Sequence, residues 1–448
     1  KNNLLINYYR YRLTNNFMKT IYDNVQLNMD HIFACSLFYA HKNDIDRNML
    51  KDLIYVNARQ IKKLNSFALH HSVDENLAMI FMADGNNYYD STLALAIEQK
   101  IITKEHEKYH INHKKFNDDL GFHQARLENT LKMFVNQLVK FPILTKIFKK
   151  NGKFTEKLLK EKAFALILRS DQKEYFDDYK KYFSPTESKN REFGKPYFLE
   201  NKKSAIGIIL SHGYKSSPEE VKNLAQYLYE SGFNVYVVRL KGHGTAPLNL
   251  KYTEWEDWYK SYFKGYAALK QKCKYVVSAG FSTGGLLALL LAAKKRSSID
   301  GVISINAAIK LNDIRVNLVP TVHFWNELLT KFKSSKGKKE FIVDTPENPQ
   351  INYSKNYLKG IKELSDLMNE CNKNLKHIIA PTLIIQADKD PVVNPKSGKI
   401  ILDKISSARK KLIMPSFDNH VIIKARNEEL YLEITNFINE NIINQELK

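Results

Sequence analysis

The chain has 448 residues, of which 44% are hydrophobic and 26% are charged, so wholesale disorder is not expected. This length exceeds what one compact core usually holds, and we expect two domains. The net charge of +21 and the pI near 9.4 indicate attraction to anionic lipid, nucleic acid or acidic proteins, although lysine-rich compositional bias is the explanation we favour.

The first part of the chain has helical periodicity. Residues 1–195 contain helical patterns such as those starting at Met49 and His123, with few strand-like runs, and we predict a mainly helical N-terminal domain of unknown role. Val139–Arg169 mixes apolar residues with many lysines. This run could lie on an anionic membrane surface. The alternative that we favour is a solvated helix that packs its apolar stripe on the protein itself. The polar segment Ser184–Pro196 is the predicted linker.

The second part, residues 196–448, has a different rhythm. From Ser204 onward, short β-branched runs alternate with segments of helical length: AIGIILS, FNVYVVRL, YVVSAGFS, GVISINA, PTLIIQA and KKLIMP. Near-continuous apolar strands separated by helices predict a doubly wound, mostly parallel α/β sheet that is covered on both faces. The interval 311–379 is too long for an ordinary connection and is predicted to be an inserted cap.

The cysteines and the apolar runs exclude several classes of protein. Cys35, Cys273 and Cys371 are odd in number, widely spaced and lack CxxC spacing, so the sequence indicates neither a disulfide framework nor a zinc site. A reducing compartment fits such cysteines best, and we expect a cytoplasmic location. We expect no metal and no cofactor. The longest apolar runs are far shorter than the roughly 20 residues of a transmembrane helix. The chain starts at Lys1 without a signal-like core, so we expect a processed chain or a piece of a longer one.

A nucleophile is predicted where the third strand meets an apolar helix. Gly280–Gly284 reads GFSTG, a G-x-S-x-G motif in the strand–turn–helix context that gives this motif its meaning. The glycines relieve crowding, so Ser282 can occupy a strained turn with its hydroxyl near the positive end of the following helix. The alternative is a structural turn without catalytic role.

A serine hydroxyl is a weak nucleophile until an imidazole accepts its proton, and a carboxylate must orient that imidazole. Candidates for both partners follow in the order Ser, Asp, His. The loop DKDPVV offers Asp388 and Asp390, and KKLIMPSFDNHVII offers His420 just past a strand. Asp418 lies close to the histidine in sequence and suits loop stabilisation better.

Acyl transfer also needs hydrogen-bond donors that point at the oxyanion. The backbone N–H of Thr283 is one candidate, and the turn HGY after the first strand offers the other through Tyr214. His212 and Gly213 are expected to shape this turn, because glycine allows close backbone approach. His243, in a second strand-end turn, is either structural or pocket-lining.

The segments LSHGY, RLKGHG, GFSTGG, ADKDPVV and NHVI occur in that order, and residues 204–442 resemble α/β hydrolases of the monoacylglycerol lipase and bacterial carboxylesterase type. The resemblance favours Asp390 as the acid, because PVV matches the family's strand-loop pattern. Ala387 stands where the family usually has Gly. The implied groups are the nucleophile Ser282, its partners Asp390 and His420, the oxyanion donors Tyr214 and Thr283, and a lid over an acyl pocket.

The expected activity is cleavage of acyl esters, lipid-derived ones such as monoacylglycerol or lysophospholipid, through an acyl-enzyme intermediate. Because one sheet and triad host several activities, an acyltransferase with the same triad and a non-catalytic binding module on a hydrolase scaffold remain open. The expected partners are a small-molecule or lipid acyl ester and, by peripheral contact, an anionic membrane. No nucleic-acid recognition motif accompanies the charge, so no nucleic acid is expected.

A second resemblance concerns the N-terminal domain. Val25–Ile61 resembles the helical region downstream of the catalytic part of glycerol-3-phosphate acyltransferases, which implies the tail of an acyltransferase–hydrolase fusion. His41 and Asp46 match the H-x-x-x-x-D spacing of that family's active site. So loose a pair arises by chance, and Asp44 and Asp46 suit the start of a helix, so we assign them no catalytic role.

Overall fold

The computed structural model divides the chain into two compact units, residues 1–166 and 167–448. The division falls inside the helix Glu156–Tyr182, upstream of the polar segment that the sequence suggested as a linker. The structure describes residues 2–74, 77–82, 88–106, 108–117, 124, 127–312, 340–424 and 427–442.

The first unit is mainly helical, as predicted, and also contains a small antiparallel sheet in the order β1-β3-β2. Its three strands have three or four residues each, too few to show an alternating pattern in the sequence. The strands are β1 (Asp44–Asp46), β2 (Ile102–Glu105) and β3 (Lys108–Ile111). The helices are α1 (Asn2–Asp23), α2 (Met29–Phe38), α3 (Arg47–Leu64), α4 (His71–Asp74), α5 (Tyr88–Glu98), α6 (Thr130–Leu138), α7 (Pro142–Asn151) and α8 (Glu156–Tyr182), which continues into the second unit.

The pair with H-x-x-x-x-D spacing has structural contacts in this unit. Asp46 caps α3, because its Oδ1 accepts hydrogen bonds from the backbone N–H groups of Asn48 at 2.7 Å and Met49 at 3.3 Å. The backbone N–H of His41 donates to the carbonyl of Gly152 at 3.0 Å. The acidic residue therefore opens a helix, as its place in the sequence suggested.

The lysine-rich run Val139–Arg169 forms α7 and the first half of α8. Its apolar side chains Leu144, Phe148 and Leu159 are at most 1% exposed, so they pack inside the protein. Within the residues that the structure describes, no helix is both long and apolar enough to cross a membrane.

The second unit is built on a seven-stranded sheet with the order β12-β11-β8-β7-β5-β6-β4. Every neighbouring pair is parallel except β4, which pairs antiparallel with β6 at the edge. This confirms the predicted doubly wound, mostly parallel sheet. The strands are β4 (Tyr197–Leu199), β5 (Ile206–Ser211), β6 (Asn234–Val238), β7 (Tyr275–Phe281), β8 (Gly301–Ile305), β11 (Thr382–Ile385) and β12 (Lys410–Ile413).

Helices follow these strands along the chain. They are α9 (Lys222–Glu230), α10 (Pro247–Lys251), α11 (Trp255–Leu269), α12 (Thr283–Lys295), α13 (Leu358–Asn374), α14 (Lys396–Lys404) and α15 (Glu428–Asn441). Because β5, β7, β8, β11 and β12 are parallel, the loops after them gather at one edge of the sheet.

The predicted cap lies between β8 and β11. Residues 313–339 of it lie outside the described residues, whereas residues 340–379 are described. They form an antiparallel pair, β9 (Phe341–Val343) with β10 (Lys355–Tyr357), followed by α13. We call the connection between these two strands, residues 344–354, the insert arm.

Ion pairs, of which one is buried, hold the second half of α8 within the second unit. Arg239 Nη1 lies 2.8 Å from Asp178 Oδ2, and the two side chains are 3% and 11% exposed. Lys241 pairs with Glu174 at 2.8 Å, and Lys264 pairs with the same carboxylate. Arg239 and Lys241 belong to the RLKGHG segment, so this motif anchors the helix from the end of β6.

We expect Asp178→Asn to lower the free energy of unfolding by about 3–5 kcal/mol, because it leaves the buried Arg239 guanidinium without its full counter-charge. The measurement is the urea midpoint of unfolding. The matched control is Asp177→Asn on the same helix, which removes an exposed pair with Lys173 and is expected to cost at most about 1 kcal/mol. Equal losses in the two variants would contradict the assignment.

Candidate active site

Ser282 stands in a strained turn between β7 and α12. Its φ of 53° and ψ of −113° are rare for a residue with a side chain. The flanking glycines make room for this turn, because a Cβ atom on Gly280 would lie 2.2 Å from the backbone of Gly284. A Cβ atom on Gly284 would lie 2.4 Å from the carbonyl oxygen of Ser211, at the end of β5. The G-x-S-x-G spacing therefore reflects backbone crowding on both sides of the serine.

The structure brings Ser282, His420 and Asp390 together in hydrogen-bond contact. His420 Nε2 lies 3.0 Å from Ser282 Oγ, and His420 Nδ1 lies 2.7 Å from Asp390 Oδ2. The side chains are largely out of solvent, since the residues are 8%, 8% and 3% exposed. In this arrangement the imidazole can accept the serine proton while the carboxylate orients the ring.

Asp390 is held by the loop that follows it. Its Oδ1 accepts hydrogen bonds from the backbone N–H groups of Val392 at 2.8 Å and Val393 at 2.9 Å, which leaves Oδ2 for the histidine. The apolar PVV run thus supplies the donors that fix the carboxylate. Asp388 contacts a different part of the chain, because its backbone N–H donates to the carbonyl of Pro415 at 3.1 Å.

Asn306 joins the two loops that carry the acid and the base. It follows β8 with a positive φ of 44°, and its Nδ2 donates to the carbonyl of His420 at 2.8 Å. Its Oδ1 accepts from the backbone N–H of Ala387 at 2.8 Å. The sequence analysis missed this residue. The available signal was an amide side chain directly at the carboxyl end of a buried strand, where sites of open α/β sheets lie.

Three carboxylates act on the titration of His420. Burial of the imidazole lowers its pKa, but the hydrogen bond and charge of Asp390 raise it, and the charges of Glu347 and Glu220 add to this effect. The net pKa of His420 lies above its ordinary value. A base that must be neutral to accept a proton therefore loses function as the pH falls through this raised pKa. The sequence analysis singled out neither glutamate.

The HGY turn lies beside the nucleophile. A Cβ atom on Gly213 would come within 3.2 Å of Ser282 Cβ, so the backbone of the turn passes directly against the serine. The N–H of Gly213 donates to Glu220 Oε2 at 2.7 Å, while the Tyr214 hydroxyl donates to Asn356 Oδ1 at 3.0 Å. Thr283 is the first residue of α12, where a backbone N–H has no carbonyl acceptor within the helix.

Two buried histidines support this turn from below. His212 Nδ1 donates to the carbonyl of Gly213 at 2.9 Å, and its Nε2 accepts from the backbone N–H of Leu240 at 3.3 Å. Burial lowers the pKa of His212 to about 3, and it also lowers the pKa of His243 well below its ordinary value. The His243 ring packs on Trp258 at 5.5 Å between centroids. Both rings are therefore neutral and fully buried.

Comparison with known proteins concerns the second half of the chain. Residues 202–423 match the family model described as serine aminopeptidase, S33. The chain is 30% identical over 239 residues to the thermostable monoacylglycerol lipase of Bacillus sp. (strain H-257), a match that covers 53% of this chain and 91% of the lipase. The chain is an α/β hydrolase of the monoacylglycerol lipase and carboxylesterase type.

This hydrolase is also 26% identical over 237 residues to the carboxylesterase of Bacillus subtilis (strain 168), across 53% of the chain and 92% of the esterase. Among solved structures, the monoacylglycerol lipase of Paleococcus ferrophilus matches with a TM-score of 0.46 at 17% identity, over 55% of this chain and 98% of that one. The predicted resemblance to monoacylglycerol lipases and carboxylesterases is confirmed, and the protein is a serine hydrolase. The acyltransferase resemblance of Val25–Ile61 stays a prediction.

Within the described ranges, no group of three or more His, Cys, Asp or Glu side chains is arranged to hold a metal ion. The polar groups of the site are instead used in hydrogen bonds to one another. The arrangement suits covalent catalysis by a serine with an adjacent base.

We expect Gly284→Ala to lower the free energy of unfolding of this hydrolase by about 1–3 kcal/mol, because the added methyl group would press on the carbonyl of Ser211. The urea midpoint of unfolding measures this loss. The control is Gly285→Ala, whose added Cβ atom would meet the Ala307 side chain at 3.0 Å and is expected to cost less. A larger loss in the control would show that the crossing at Gly284 is not the tighter one.

Proposed function

We propose that this serine ester hydrolase cleaves lipid-derived acyl esters, such as monoacylglycerol or lysophospholipid, with Ser282 as nucleophile, His420 as base and Asp390 as orienting acid. The observation that carries the proposal is the buried chain of hydrogen bonds from Ser282 through His420 to Asp390. The similarity to a monoacylglycerol lipase over most of that enzyme's length supports the lipid-derived substrate.

The first half-reaction follows from the positions of these atoms. Ser282 Oγ attacks the ester carbonyl carbon while His420 Nε2 accepts the hydroxyl proton, and Asp390 holds the opposite ring nitrogen in its protonated form. The backbone N–H groups of Thr283 and Tyr214 stabilise the oxyanion of the tetrahedral intermediate. The carbon–oxygen bond to the alcohol then breaks, and the imidazolium returns its proton to the leaving alkoxide.

The second half-reaction repeats these steps with water. His420 accepts a proton from a water molecule that attacks the acyl carbon, and a second tetrahedral intermediate forms. When this intermediate collapses, the acyl–oxygen bond to Ser282 breaks and the imidazolium protonates the serine. The products are a carboxylic acid and an alcohol.

We infer a reducing compartment, such as the cytoplasm, because Cys35, Cys273 and Cys371 are all free and buried. The net charge of +21 supports peripheral contact with an anionic membrane. The run Val139–Arg169 supports this contact less, since several of its apolar side chains are buried.

Ser282→Ala is expected to abolish hydrolysis of p-nitrophenyl esters and of monoacylglycerol, because it removes the hydroxyl that contacts His420 Nε2 and would form the acyl-enzyme. The measurement combines ester hydrolysis with covalent labelling by a fluorophosphonate probe and mass mapping of the labelled residue. Labelling of the unmodified enzyme is expected at Ser282 alone. Unchanged hydrolysis in a folded Ser282→Ala variant would refute the nucleophile.

The two aspartates of the DKD loop give a matched test of the acid. Asp390→Asn is expected to lower kcat by roughly 10³–10⁴-fold, because the amide cannot hold His420 in the required tautomer. Asp388→Asn changes a residue of the same loop without touching the imidazole and is expected to alter kcat by only a few fold. Steady-state kinetics on one short-chain ester compares them, and the reverse ranking would assign the acid to Asp388.

A further inference from the structure

The insert arm, residues 344–354, reaches the site from the chain segment that interrupts the regular α/β rhythm. Lys215, the residue after Tyr214, has a positive φ of 61°, and its Nζ lies 2.7 Å from Asp344 Oδ1. The carbonyl of Lys215 accepts the backbone N–H of Tyr353 at 3.0 Å. The arm therefore holds the loop that carries one proposed oxyanion donor.

A second contact of the arm falls on the base. Glu347 Oε1 accepts the backbone N–H of His420 at 3.1 Å, and its Oε2 accepts the backbone N–H of Val421 at 3.1 Å. The two carboxylate oxygens of Glu347 thus accept hydrogen bonds from two successive peptide groups. Because Asn306 donates to the carbonyl of His420 at 2.8 Å, side chains from two different loops hold the histidine backbone on its N–H and carbonyl sides.

This geometry singles out one acidic residue of the arm. The loop that carries His420 follows β12 without regular structure around the histidine, so its backbone needs partners to keep the imidazole in place. Charge-assisted hydrogen bonds to a carboxylate are stronger than neutral ones. We propose that Glu347 is a positioning residue for His420, which fixes the backbone of the base and keeps a negative charge beside the imidazolium that forms during catalysis.

The electrostatic part of the proposal can be separated from the other charges at the site. The groups that act on His420 are Asp390 from the loop after β11, Glu220 from the turn before α9 and Glu347 from the insert arm. Burial lowers the pKa of His420, and these three carboxylates together raise it. Glu347 is exposed, whereas Asp390 and Glu220 are buried, so Glu347 can be changed without leaving a buried charge unpaired.

The proposal rests on the proposed role of His420 as the general base, and its test is the pH profile of kcat/KM for p-nitrophenyl butyrate. Glu347→Gln removes the negative charge, so the pKa of His420 falls and the acid side of the profile moves to lower pH. The amide also loses one of the two hydrogen bonds. We therefore expect kcat on the pH plateau to fall roughly ten- to a hundred-fold, with KM little changed.

Two further variants control this result. Glu340→Gln changes an exposed glutamate just before β9 that pairs with Lys251 at 2.9 Å, and it is expected to leave both the profile and kcat unchanged. Glu347→Asp keeps the charge on a shorter side chain. This variant is expected to lower kcat, while the acid side of its pH profile stays close to that of the unmodified enzyme. It also tests the positioning role if the glutamine variant fails to fold.

The outcomes distinguish this proposal from the one on which it rests. If the unmodified enzyme neither reacts with fluorophosphonate at Ser282 nor hydrolyses the ester, the proposed function fails and this inference fails with it. If the enzyme is labelled and active, but Glu347→Gln has an unshifted acid side, only the role of Glu347 is overturned. An equal shift in Glu347→Gln and Glu347→Asp, or in the Glu340→Gln control, also overturns it.

Discussion

The close crossing of α12 over the end of β5 is the constraint on which the site depends. The backbone of Gly284 lies so near the carbonyl of Ser211 that a methyl group does not fit between them. This crossing places the helix start against the HGY turn and leaves Ser282 in a conformation that few residues with side chains adopt. The strain is local, and the parallel strands on either side of β7 provide the rigid support that maintains it.

The polar groups around the nucleophile form one connected arrangement. Asp390 uses one oxygen for backbone donors and the other for His420, and Asn306 links the loops of the acid and the base. Glu220 holds the backbone of Gly213 in the neighbouring turn. Because buried polar groups are costly when unpaired, these contacts explain how so many can surround one serine. Asp390 has partners both in its own loop and in the loop of His420, and Asn306 has partners in two other loops.

Much of this arrangement was accessible from the sequence. Each of the six β-branched runs became a strand of the large sheet, because buried parallel strands have a strong apolar signal. The serine, histidine and aspartate candidates could be named because their types and places after strands follow from the chemistry of acyl transfer. Asn306 and Glu347 could not, since their roles depend on contacts with His420, which is more than a hundred and more than seventy positions away respectively. The short strands β1 to β4, β9 and β10 were missed because their three or four residues show no alternation and lie outside the apolar runs that mark the other strands.

The insert changes how the site should be understood. A segment that interrupts an α/β pattern is easily taken as a cover that only admits or excludes substrate. Here Glu347 of the insert arm contacts the backbone of His420, and Asp344 of the same arm contacts Lys215, the residue after Tyr214. Substitutions of Asp344 or Glu347 are therefore expected to affect the two loops beside Ser282, because the same arm contacts both of them. A change in chain length there would displace Asp344 and Glu347 together, so we expect it to disturb the Lys215 loop and the His420 loop at once.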